Sequence, residues 1–159
     1  MSAPGWSYNT VDVSFWDDEK VRGWGEDARI LGIYLLTCSH RTAEGFYRLP
    51  ATVAVDDLQW TRERWDAALA ELTRTDFCDY DDGPRLVLIR KALKYHAPIR
   101  GAKSIKGALN VLDNVKGSPR LFGKFLAAAD KYEDDFAAGI RREYELPDGA
   151  YQGASYGAS

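Results

Sequence analysis

The chain has 159 residues, a formal net charge of −3, 45% hydrophobic and 28% charged residues, a balance that suits one compact domain and leaves little room for a second. No stretch approaches the roughly 18 apolar residues that span a bilayer, and MSAPGWSYNTVDVSFWDDEK has neither the basic nor the apolar region of a signal peptide, so a cytoplasmic protein without membrane contact is expected. Cys38 and Cys78 are the only cysteines, too few for a disulfide-stapled scaffold, and both are expected reduced and packed.

In chain order, VDVSFW alternates Val11, Val13 and Phe15 with polar neighbours, the period of a short strand. GEDARILGIYLLTCSH, with acids in its first turn and Ile30, Leu31, Ile33, Leu35 and Leu36 crowded together, reads as a buried helix, and Gly32 inside it points to close packing by a neighbouring backbone. FYRLP is a brief strand stopped by Pro50, and ATVAVDDL a short helix. Thr61 then caps a second helix running to about Thr75, with Trp65, Ala68, Leu69 and Leu72 at helical spacing. Only Gln59 and Trp60 separate the two, which makes a tight helix-turn-helix pair. FCDYDDGPRLVLIR follows at once, two β-rich halves around Asp82-Gly83, a strong hairpin signal.

Helix, tight turn, helix, hairpin is the order of a winged helix. The expected fold is therefore α+β, mainly α: a winged helix-turn-helix with a β-hairpin wing and additional C-terminal helices. Past the hairpin, IRKALKY continues as strand or helix until Pro98. GAKSIKGALNVLDNV puts Ile105, Ala108, Leu109 and Leu112 on one helical face and Lys103, Lys106 and Asn110 on the other. SPRLFGKFLAAADKYEDDFAAGIRREYEL opens on a Ser-Pro helix start and reads as one helix or two. The organisation implied is 1–98 winged-helix domain with an N-terminal strand, 99–146 helical extension packed on it, and 147–159 a Gly, Ser and Ala rich disordered tail.

Several patterns are near misses. GWGEDA matches G-x-G-x-x-A without a surrounding βαβ unit, and GSPRLFGKF has five residues between its glycines and Phe125 where a magnesium-binding hydroxyl is needed. Cys38, His40, Cys78 and His96 lack zinc-site spacing, and the carboxylates cluster where helix starts and turns call for them. No catalytic residue, metal site or cofactor is expected.

The charge is unevenly placed. From Arg85 to Lys124 there are ten basic residues against Asp113 alone, a net +9, and the remainder carries −12. Such a split favours an anionic partner on one face. On the second helix of the pair, Arg62 and Arg64 stand where base edges would be read, among Glu63 and Asp66. The larger basic supply is Arg85, Arg90, Lys91, Lys94, Arg100, Lys103 and Lys106, with Tyr95 and His96 as stacking or hydrogen-bonding groups. These nine cations are the expected DNA-binding residues, and phosphate contacts of this kind give affinity with little sequence discrimination.

DARILGIYLLTCSHRTAEGFYRLP, DDLQWTRERWDAALAELTRTDFCDYDDG and LVLIRKALKYHAPIRGAKSIKGAL together resemble the N-terminal winged-helix region of phage replisome organisers and DnaD-type primosome proteins. The likeness runs from about Phe15 to about Leu126, through Gly45, Tyr47, Arg48, Leu49 and Pro50, the Trp60 to Leu72 helix, and Lys94-Tyr95 with Pro98. It implies a bacteriophage or prophage replication-initiation protein, at work in a bacterial host cell. Such a protein binds double-stranded DNA near an origin, self-associates into a homo-oligomer, and helps to recruit a host helicase or helicase loader. The separate C-terminal domain of fuller members, with its Tyr, Ile and Trp signature, is not matched, since LFGKFLAAADKYEDDFAAGIRREYEL has no Trp. The rival readings are a phage adaptor gripping a host replication or transcription protein, and a winged-helix transcriptional regulator.

Overall fold

Residues 8–95 and 98–146 are described by a computed structural model of the chain. The tail at 147–159 and His96, both singled out above, lie outside the described residues. The elements run as a 3-10 helix (Val13–Asp17), α1 (Glu19–Gly23), α2 (Glu26–Thr37), β1 (Phe46–Arg48), α3 (Ala51–Leu58), α4 (Arg62–Arg74), β2 (Cys78–Asp81), β3 (Leu86–Ile89), α5 (Ala92–Tyr95), α6 (Ala102–Leu112), a 3-10 turn (Asp113–Val115), α7 (Pro119–Tyr132) and α8 (Asp134–Glu143). The chain is thus mainly helical with one small antiparallel sheet of order β1-β3-β2, the α+β class expected.

The local signals that make these elements are visible one by one. The Thr61 side chain accepts from the Arg64 N–H to start α4, and Gln59 reverses the chain after α3 in the left-handed region, φ 55°. Ser118 accepts from the Leu121 N–H with Pro119 in the first turn of α7, the Ser-Pro start anticipated. Glu133 then separates α7 from α8, so the C-terminal stretch is two helices.

β3 lies in the middle of the sheet, and its four residues Leu86, Val87, Leu88 and Ile89 are all buried. Because side chains alternate along a strand, Val87 and Ile89 join Tyr47 and Cys78 in one hydrophobic cluster with Leu31, Leu35, Trp65 and Leu72 of α2 and α4. Leu86 and Leu88 join Phe46 in a second cluster with Leu112, Leu121, Phe125, Phe136 and Ile140 of α6, α7 and α8. The sheet is therefore the shared middle layer between two helical layers. Phe125 ties that second layer together, 5.3 Å from the Phe46 ring and 6.0 Å from Phe136 between centroids, a spacing at which aromatic pairs add to simple burial.

The alternation also turns Asp79, paired across the sheet with Leu88, into the second layer, where it is 2% exposed. A buried carboxylate needs partners, and it has three: Arg90 at 2.6 and 2.9 Å, Lys124 at 3.0 Å and Arg120 at 4.0 Å. Asp81, next but one on the same strand, accepts from Ser118 Oγ at 2.6 Å. The start of α7 is thereby fixed to the hairpin by two acids, one of them through the helix-capping serine itself. Burial pushes the Asp79 carboxyl up, but hydrogen bonds from Arg90 and Lys124 outweigh it and hold the group below its ordinary 3.8.

Two expectations are corrected. In place of a strand at VDVSFW, Val13–Asp17 is a 3-10 helix, because Asp12 accepts from Ser14 N and Oγ and winds the chain; Val13 is 95% exposed, so the alternation marked no buried face. Gly32 makes room for side chains rather than a backbone: a Cβ there would stand 2.9 Å from the Trp24 ring, with Phe15 just beyond. The hairpin expected around Asp82-Gly83 is present, with residues 82–85 as its loop and a positive φ on Arg85, at 60°. Gly45, by contrast, has no substitute. Its φ is 72° and an added Cβ would lie 2.2 Å from the Ala92 methyl.

Two stability outcomes follow. Gly45→Ala is expected to cost at least about 1–2 kcal/mol from the left-handed backbone alone, with more from the overlap, read by urea denaturation. Asp79→Asn is expected to cost on the order of 2 kcal/mol, less than the about 3–5 kcal/mol of a fully buried pair because the cations left behind reach water. Since the folded pKa of Asp79 is depressed, its contribution is fully present above about pH 4 and disappears as pH falls through the depressed value. The wild-type and Asp79→Asn melting temperatures should therefore converge in acid; a gap that stays constant from pH 7 to pH 2 would contradict the ion-pair account.

Candidate functional site

The nine cations read as DNA-binding fall into two electrostatic classes. On α4, the Arg62 guanidinium lies 3.1 Å from Asp66 and 3.3 Å from Asp82. Arg64 grips Asp27 of α2 with Nε and Nη2, both at 2.8 Å, and stacks 4.5 Å over the Trp60 ring. Arg64 in turn holds the Asp27 carboxyl below its usual range. Arg90 belongs with them, taken up by Asp79 and Asp76. Arg64 and Arg90 each hold one carboxylate with two nitrogens, the strongest form of this contact, and Arg62 bridges two acids, so these three are already answered from within the chain.

Arg85, Lys91, Lys94, Arg100, Lys103 and Lys106 are different. All six are exposed, and none has an acid within ion-pair distance among the described residues. Arg85 stands at the tip of the hairpin, and Lys91 and Lys94 past the far end of β3, roughly 13 Å away at about 3.3 Å per strand residue. Lys94 lies 5.3 Å over the Tyr95 ring. Arg100 precedes α6, whose N-cap is Gly101, φ 81°, with no side-chain acceptor. The first-turn N–H groups of α6 are left open beside Lys103 and Lys106, which share one face a turn apart. The apolar side of the same helix carries the buried Ala108 and Leu112.

The basic block is therefore less available than its +9 suggests. Lys116 pairs with Asp113, and Arg120 and Lys124 turn inward to Asp79. The signal that could have found this is the pattern C-D-Y-D itself, in which Asp79 and Asp81 occupy the same strand face as Leu86 and Leu88 across the register. Sequence reasoning also missed Arg41, half-buried beside a cavity under the N-terminal segment; an arginine between two loop-like residues carries no pattern that marks it.

No family model, curated protein or solved structure matches this chain. The site has to be read from its own chemistry.

Among the described residues no group of three or more His, Cys, Asp or Glu is placed to hold a metal ion, and no helix is long and apolar enough to cross a membrane. Both cysteines are free thiols and buried. Burial, then the charge of Asp79, pushes the Cys78 thiol well up, which keeps it protonated and unreactive at neutral pH. Cys38 and Cys78 are thus expected to resist a thiol-specific chromogenic reagent in the native protein and to react together once urea unfolds it. Rapid native labelling of Cys78 would contradict this placement.

Proposed function

We propose that this chain is a non-enzymatic protein that binds duplex DNA through its backbone phosphates, on a winged helix-turn-helix frame. The order α2-β1-α3-α4-β2-β3 with strand order β1-β3-β2 supports the frame. The observation that carries the reading is the stretch from Arg85 to Lys106: six exposed cations and no acid of its own, with no acid brought to them from elsewhere among the described residues. Cations left in water are the groups that exchange counterions for phosphates.

On this reading the phosphate contact lies on the hairpin tip and on the segment from Lys91 to Lys106, with α4 in a lesser role. Arg62 and Arg64 would have to release Asp66, Asp82 and Asp27 before they could reach a base. Binding is therefore weakly selective for sequence and strongly dependent on salt. The resemblance to phage replisome organisers supplies the setting: origin-proximal DNA in phage or prophage replication, with self-association and recruitment of a host helicase or its loader as the wider role. The neutralised face of α4 favours one alternative, an adaptor that presents this face to a host protein and binds no DNA.

Fluorescence anisotropy of a labelled duplex at two salt concentrations tests the reading. The expected log-log slope is about −0.9 for each phosphate neutralised, and Lys103→Glu with Lys106→Glu should lower affinity about tenfold or more at low salt. Asp27→Asn, which frees Arg64, should raise affinity. Unchanged binding in the double lysine variant would sink the assignment of the basic segment; absence of any duplex binding in the wild type would favour the adaptor.

A further inference from the structure

The segment from Tyr8 to Asp18 crosses the first hydrophobic layer and is tied down at two points. The Asn9 side-chain amide donates to the Cys38 carbonyl at 3.1 Å, and Arg41 Nη1 donates to the Thr10 carbonyl at 2.7 Å. Beneath it lies a cavity of about 410 Å³, within the about 300–1,000 Å³ usual for small-molecule sites. Phe15, Trp24, Leu36, Phe77 and Ile89 supply apolar walls. Trp24 and Phe77 already meet edge to face, 5.1 Å between centroids.

Arg41 is the anomaly in those walls. Its Nη1 is used twice, on the Thr10 and Leu36 carbonyls, both at 2.7 Å. Its Nε is sealed from water with no partner. No hydrogen bond from Nη2 joins it to the described residues, and no acid lies within ion-pair distance of the guanidinium among them. Burial accordingly pulls its pKa down. Nη2, neither sealed from water nor bonded within the described residues, is the nitrogen that a ligand in the cavity can reach.

The acids around the cavity are already engaged. Asp12 and Asp18 accept from the backbone N–H of Ser14 and Lys20, and Asp76 pairs with Arg90. Lys20 and Lys91, which also line it, have no acidic partner among the described residues. The cavity thus offers aromatic walls and, in Arg41, a guanidinium with no acid of its own among the described residues.

We propose that this cavity binds a small aromatic carboxylate, its ring against Phe15, Trp24 and Phe77 and its carboxylate on Arg41. An ionised carboxylate supplies the counter-charge that the chain does not, and an oxygen of it can accept from Nη2 in a charge-assisted hydrogen bond. An aliphatic acid would forgo the ring contacts, and a neutral aromatic compound would leave the arginine as it stands. The proposal does not rest on the duplex-binding reading, although Lys91 is common to the cavity lining and the basic segment.

Calorimetric titration with 2-naphthoate and with its neutral amide, 2-naphthamide, tests it on the full chain. The acid should bind at one site per chain and the amide about tenfold or more weakly, the loss expected when a charge-assisted contact is removed. Arg41→Met should erase the difference between the two. Because Arg41 also tethers Thr10, a second variant is needed, and Ala43→Trp fills the cavity from an exposed position without removing any contact named above. It should abolish binding of the acid and leave the melting temperature unchanged. Equal affinity for acid and amide in the wild type would overturn the proposal, as would full binding in Ala43→Trp or no binding of the acid by about 1 mM.

Discussion

A strand with apolar residues on both faces cannot stand at a surface, and β3 imposes that condition on everything around it. Val87 and Ile89 require one cover and Leu86 and Leu88 another. α2 and α4 meet the first requirement, α6, α7 and α8 the second. β1 and β2 satisfy the strand's backbone on its two edges through the pairs Tyr47–Val87 and Tyr80–Val87. The one charge placed inside the second layer, Asp79, is compensated by cations from β3's own end and from α7, so the polar contacts there reinforce the apolar ones in fixing how α7 crosses the sheet.

That arrangement decides which charges remain available to a partner. Four of the ten basic residues between Arg85 and Lys124 are spent on internal acids, and both arginines on the exposed turn of α4 are spent on Asp27, Asp66 and Asp82. What is left over is segregated onto the hairpin tip, the stretch around α5 and the outer face of α6. A map of charge along the sequence and a map of unpaired charge on the molecule are thus different objects, and the second one governs association.

Much of the fold was legible because it is written in local rules. Thr61 and Ser118 as caps, Pro50 as a stop, the spacing of Trp65, Ala68 and Leu72, and the paired β-rich segments each act within a few residues, and each element appeared where these place it. Where the reading failed, a contact distant in sequence or a competing short-range bond was responsible. Asp12 turned an alternating stretch into a 3-10 helix by capping it. The space at Gly32 is filled by a Trp24 ring eight residues away. Arg90 looked like a free cation until strand pairing set it beside Asp79. Lys103 and Lys106 were placed correctly on an outer face because amphipathic periodicity is local, whereas the availability of Arg62 and Arg64 depended on acids 4 to 37 residues distant.

The two-sided strand also bears on how such a sequence can change over generations. A recombination event that exchanged the segment after Pro98 for an unrelated one would leave Phe46, Leu86 and Leu88 facing water, and an exchange of the segment before it would strip α7 of Asp79 and Asp81. The two halves therefore have to be inherited together and to drift in concert. The exposed lysines of α6 are bound by no such obligation and can vary with whatever the molecule has to meet.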